Sequence, residues 1–123
     1  MPVLGVGLDA VDVARFRTVL ERRPRLAERV FTEAERAYGD RFGDPAPRLA
    51  ARFAAKEAVM KALGVGLGAF AFHDVEVVRA ESGAPSLQIG GAAAALAESL
   101  GVTSLHLSLT HTDVVAEAVV IAS

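Results

Sequence analysis

The 123-residue sequence contains no cysteine and no tryptophan, and only one tyrosine. Without thiols there can be no disulfide framework, no thiol catalysis and no cysteine-ligated zinc. With few aromatics the core has to be aliphatic. No uncharged apolar run reaches the roughly 18 residues a membrane helix needs. The N-terminus lacks a basic leader and meets Asp9 early, so no secretory signal is expected and the expected location is the cytoplasm. A net charge of −2 gives no bulk affinity for nucleic acid. Metal-ligand spacings of the H-x-x-x-H or C-x-x-C kind are missing too.

What is present fits one compact domain spanning residues 1–123. The charge distribution is uneven: residues 15–29 hold six arginines and two glutamates, which reads either as a solvated helix face or as a docking face for an acidic partner. Residues 3–8 alternate Val/Leu with Gly and predict a strand that Asp9 ends. Apolar spacing predicts a helix over 11–20, which Pro24 breaks. Thr32 and Glu35 form a capping-box pattern opening a short helix, and a Gly/Pro/Asp-rich loop follows over 39–48. Residues 48–63 are the strongest helix former, and Gly64 stops them. Strands are predicted over 74–79 and 86–89 around a turn at Ser82–Gly83, then an Ala-rich helix over 91–100. Strict alternation over 105–110 and a turn at Thr112–Asp113 give a final pair of strands. The expected fold is α+β: an antiparallel sheet with helices packed on one side.

Several residues sit uneasily in a purely structural reading. Glu57 shares a helix face with Leu49, Phe53 and Met60. A carboxylate there needs a cation, a metal or hydrogen bonds; an intrahelical pair with Lys61 is the simpler account. Asp9 is either an N-cap or a metal ligand on a rigid strand end. His106, Ser108 and Thr110 form a polar row that is either a solvated sheet face or a wall for a polar ligand. His106 and His111 point to opposite faces. The segment GVGLG at 64–68 follows a helix rather than preceding one, so chain termination explains it better than phosphate binding.

Taken together these segments resemble the bacterial holo-acyl-carrier-protein synthases, the short trimeric type of 4′-phosphopantetheinyl transferase. GVGLDAVDVARF is similar to their opening Gly-x-Gly-x-Asp segment, FTEAE to a middle motif, and RFAAKEAVMKALGVGLG to their second signature, F-x-x-K-E-A-x-x-K-A included. SGAP stands where they have an Asn-Gly-x-Pro-like turn, and LHLSLTHT resembles their C-terminal strand. The chain departs from the pattern in the loop over 39–48 and in DVVAEAVV, which replaces a Tyr-containing strand start.

The resemblance implies a transferase that moves 4′-phosphopantetheine from coenzyme A to a serine of acyl carrier protein. It makes Asp9 and Glu57 the protein ligands of Mg²⁺, with Glu57 a candidate base, and places Lys61 beside the coenzyme phosphates. Arg52, Lys56 and His106 would help hold coenzyme A. Gly64, Gly66 and Gly68, with Gly83 and Pro85 of the later turn, would line its pocket. Arg15, Arg22 and Arg25 would face the acidic helix of the carrier protein, and a homotrimer would carry its active sites between subunits. The alternatives are a non-catalytic coenzyme A-binding regulator and a purely structural trimeric module.

Overall fold

The computed structural model describes residues 2–123. Strand β1 (Gly5–Asp12) leads into α1 (Val13–Arg22), α2 (Leu26–Val30), α3 (Glu33–Gly39) and the long α4 (Ala46–Ala62). A single 3-10 turn (Phe72–Asp74) precedes β2 (Val75–Arg79) and β3 (Pro85–Ile89), then come α5 (Gly91–Ser99), β4 (Leu105–His111) and β5 (Val115–Ala122). The α+β class and antiparallel pairing are as expected, but the strands divide into two sheets. One has the order β1-β5-β4 and the other is the β2-β3 hairpin. Helix α4 lies against the inner face of the three-stranded sheet.

Two corrections concern boundaries. Asp9 does not end the first strand: β1 runs on to Asp12, with Asp9 paired to Ala118. Asp12, not Asp9, is the N-cap of α1, its Oδ1 accepting from Arg15 N–H at 2.9 Å. The Thr32–Glu35 capping box is present. Gly64 ends α4 as expected: at φ +74° it lets the Val65 N–H reach the Met60 carbonyl and its own N–H reach Lys61, a Schellman motif.

The two glycines of β1 decide how closely the sheet meets the helix. A Cβ at Gly7 would overlap the Ala58 carbonyl, whose carbon would lie 2.7 Å away, and one at Gly5 would meet the Ala62 carbonyl carbon at 2.9 Å. Glycine here thus lets strand backbone rest directly on helix backbone. Inner-facing Ala118, Val120 and Ala122 of β5 fill in beside it with Ala54, Ala58 and Val59 of α4. A second cluster joins Val13 and Phe16 of α1 to Val30, Phe31 and Leu49. The outer face of the sheet is uncovered and exposes Val6, Leu8 and Ile121, Leu8 at 63 %.

Candidate functional site

Laying β1 on α4 brings Asp9 to the C-terminal half of the helix, where Glu57 and Lys61 stand one turn apart. Lys61 Nζ donates to Asp9 Oδ1 at 3.1 Å and to the Leu8 carbonyl at 2.9 Å. The intrahelical Glu57–Lys61 pair does not form; among the described residues the ion pairs are Arg17–Asp44, Lys56–Glu35 and Lys61–Asp9. Burial, and then the neighbouring Asp9 carboxylate, push the Glu57 pKa upward, while Lys61 pulls the other way. Asp9 takes the Lys61 ammonium and Glu57 has no ion-pair partner among the described residues, which leaves negative charge for a further cation. Among the described residues no third carboxylate or histidine joins them. That donor set fits Mg²⁺, which takes one or two carboxylates and fills its remaining positions with water and substrate oxygens.

Beside Glu57 an apolar cavity of about 370 Å³ is lined by Arg15, Phe16, Val19, Leu26, Phe53 and Leu67, among others. Leu67 is the contribution of the 64–68 loop; Gly64, Gly66 and Gly68 are exposed. Arg22 and Arg25 are exposed as well, Arg25 sharing a surface hollow with Arg23 and Arg29.

A different side of α4 carries a cavity of about 510 Å³, lined by Tyr38, Phe42, Arg48, Arg52, Arg79, Gly83, Pro85 and His111. Arg52, Gly83 and Pro85 therefore stand together as the sequence suggested, although Arg52 is only 4 % exposed. Its guanidinium lies 4.1 Å from the centre of the Tyr38 ring, and burial lowers its pKa. None of Arg48, Arg52 and Arg79 has a carboxylate partner among the described residues. Three cations without an anionic partner concentrate positive charge in this cavity.

Two expected coenzyme contacts, Lys56 and His106, line neither of these cavities. Lys56 is fully buried. Its ammonium is held by Glu35 Oε1 at 2.8 Å and by the Phe72 and Val75 carbonyls, which leaves no face for a ligand. Burial lowers its pKa, with Glu35 opposing. Glu35 also accepts the N–H groups of Thr32 and Val77. The pair thus pins α3, α4 and β2 together. His106 faces outward from β4 beside Ser123 Oγ at 3.4 Å. His111, of opposite parity, is the histidine in the arginine cavity.

A family model of the 4′-phosphopantetheinyl transferase superfamily matches residues 5–119. A holo-[acyl-carrier-protein] synthase of Frankia alni is 53 % identical over 122 residues, covering 99 % of this chain and 98 % of that protein. The crystal structure of the holo-[acyl-carrier-protein] synthase of Neisseria meningitidis superposes with a TM-score of 0.90 at 31 % identity, covering 99 % of both chains. That of Helicobacter pylori, in complex with coenzyme A, gives 0.84 at 29 %, covering 96 % of this chain and 99 % of that one. The chain belongs to the 4′-phosphopantetheinyl transferase superfamily.

Proposed function

We propose that the protein transfers 4′-phosphopantetheine from coenzyme A to a serine of apo-acyl carrier protein and releases 3′,5′-ADP. The convergence of Asp9, Glu57 and Lys61 where β1 crosses α4 carries this reading. The serine oxygen attacks the phosphorus bearing pantetheine, and the bond from that phosphorus to the oxygen of the 5′-phosphate of 3′,5′-ADP breaks. Glu57, its basicity raised by burial and Asp9, takes the serine proton. Lys61 stabilises the charge that collects on the leaving phosphate. Mg²⁺ held by Asp9 and Glu57 would supply charge neutralisation at the pyrophosphate.

The arginine cavity holds the nucleotide end of the coenzyme, with Arg48, Arg79 and His111 joining Arg52. Supporting this, the relatives in Helicobacter pylori and Bacillus anthracis were crystallised with coenzyme A. The cavity and the acid pair share no lining residue. Arg52 and Glu57, five residues apart, point about 140° away from each other. A single chain therefore presents the two halves on separate faces, and a homotrimer completes each site between neighbours. The uncovered apolar sheet face of Val6, Leu8 and Ile121 supplies the contact surface. Arg15, which lines the apolar cavity, and the exposed Arg22 and Arg25 receive the acidic helix of the carrier protein. The setting is lipid biosynthesis in the cytoplasm.

Intact mass spectrometry of apo-acyl carrier protein, incubated with coenzyme A, Mg²⁺ and the protein, tests the reading. Addition of one phosphopantetheine by the wild type and not by Asp9→Ala or Glu57→Ala is the expected result. Binding of coenzyme A without transfer would favour a regulator instead.

A further inference from the structure

The arginine cavity is organised by an aromatic pair that the transfer chemistry does not use. Tyr38 closes α3 and Phe42 lies in the loop after it, their rings 5.3 Å apart edge to face. The Arg48 guanidinium lies 3.5 Å from the centre of the Phe42 ring, and that of Arg52 is 4.1 Å from the centre of the Tyr38 ring. Arg79 approaches the same tyrosine from the β2–β3 hairpin and donates from Nη1 to the phenol oxygen at 2.7 Å. Two like charges that would otherwise repel are thus held against one side chain, one on the ring face and one at the hydroxyl. The phenol accepts from Arg79 and keeps its own O–H to donate. Tyr38 is half-buried and belongs to neither hydrophobic cluster; its ring packs on Phe42 and the arginines.

We propose that Tyr38 is a positioning residue that shapes the Arg52–Arg79 pair for a phosphate monoester, and so sets the preference for donors that carry one on the ribose 3′ oxygen. A monoester is dianionic near neutral pH and offers three terminal oxygens. It can accept from two guanidinium groups and a hydroxyl together, which a bare ribose hydroxyl cannot. The inference rests on the coenzyme reading of the cavity given above.

The test compares coenzyme A with 3′-dephospho-coenzyme A as donors, using the full chain and apo-acyl carrier protein. The wild type prefers coenzyme A in kcat/KM. Tyr38→Phe keeps the ring and loses the hydroxyl, so the preference falls by about 10- to 150-fold, the value of one hydrogen bond to a charged group. The change lies in KM for coenzyme A, with kcat at saturation and the melting temperature unchanged. Arg79→Met gives a similar loss, and adding Tyr38→Phe to it costs little more. An unaltered preference in Tyr38→Phe, or equal losses with both donors, overturns the proposal. Calorimetry with 3′,5′-ADP separates the two layers: failure of the wild type to bind it would sink the coenzyme reading itself. Binding by the wild type that Tyr38→Phe leaves equally tight would sink only the role of Tyr38.

Discussion

Lys61 Nζ reaches Asp9 Oδ1 at 3.1 Å across the junction of helix and strand, and the Leu8 carbonyl at 2.9 Å. One ammonium therefore ties the strand carrying one carboxylate to the helix carrying the other. Lys61 is 52 % exposed, so the bond adds at most about 1 kcal/mol to folding. Lys61→Met is expected to lower kcat by roughly 10²- to 10³-fold while the urea midpoint hardly moves. A loss of stability in step with the loss of rate would assign Lys61 to the fold instead.

The raised pKa of Glu57 makes a pH prediction. Burial and Asp9 favour its protonated form in the folded chain. Ionised Glu57 thus costs stability at neutral pH, and the cost disappears as pH falls below its ordinary value of 4.5. In chelator, Glu57→Gln should melt roughly 1–3 °C above wild type at pH 7.5, with no difference at pH 4. Transfer activity should be lost at every pH. A variant that melts below wild type at pH 7.5 would contradict the electrostatics.

The buried Lys56–Glu35 pair is expected to matter for folding. Lys56→Met strands the Glu35 carboxylate among apolar groups, and such losses run to about 3–5 kcal/mol. The double variant Lys56→Met, Glu35→Gln should recover much of that. Urea denaturation of the wild type, Lys56→Met, Glu35→Gln and the double variant decides, and strict additivity would show that the pair is not coupled.

Gly7→Ala places a methyl group inside the α4 backbone. The strand has to lift away, at a cost of about 3 kcal/mol or more, and Asp9 moves with it. Soluble protein with a wild-type unfolding midpoint would refute the close packing of β1 on α4.

Divided sites can complement one another. Glu57→Ala and Arg52→Ala each disable a different half. Mixed and allowed to reassemble, they should regain a measurable fraction of activity, up to roughly a quarter for random trimers, since one intact interface requires both wild-type halves. Activity that stays at zero in mixed trimers verified by native mass spectrometry would place both halves in one subunit.

Local signals in the sequence were strong where one element sufficed. The capping box and the alternation over β4 stand as read, and the long helix keeps its Gly64 stop but opens at Ala46, inside the expected loop. Asp9 was harder, because an aspartate after an apolar run resembles a cap; only the pairing of β1 with β5 through Asp12 shows that the strand continues. The resemblance made Lys56 a coenzyme contact, and periodicity does not reveal that α4 is covered on that side by α3 and β2. Arg48, Arg79 and His111 come from three elements with no shared spacing. For His111 a signal existed: its parity matches Leu105, Leu107 and Leu109, the face turned toward the helices. Tyr38 gave none, since its role lies in arginines brought to it from α4 and the β2–β3 hairpin.

Of the 17 residues in α4, 13 are buried. Most surface helices keep one side where drift is harmless; this one is the central column, enclosed by strands, by other helices and by its own ion pair. Nearly every position on it answers to a neighbour, so substitutions there have few silent outcomes. A segment confined in that way is constrained for mechanical reasons alone, whatever donor or acceptor the protein serves.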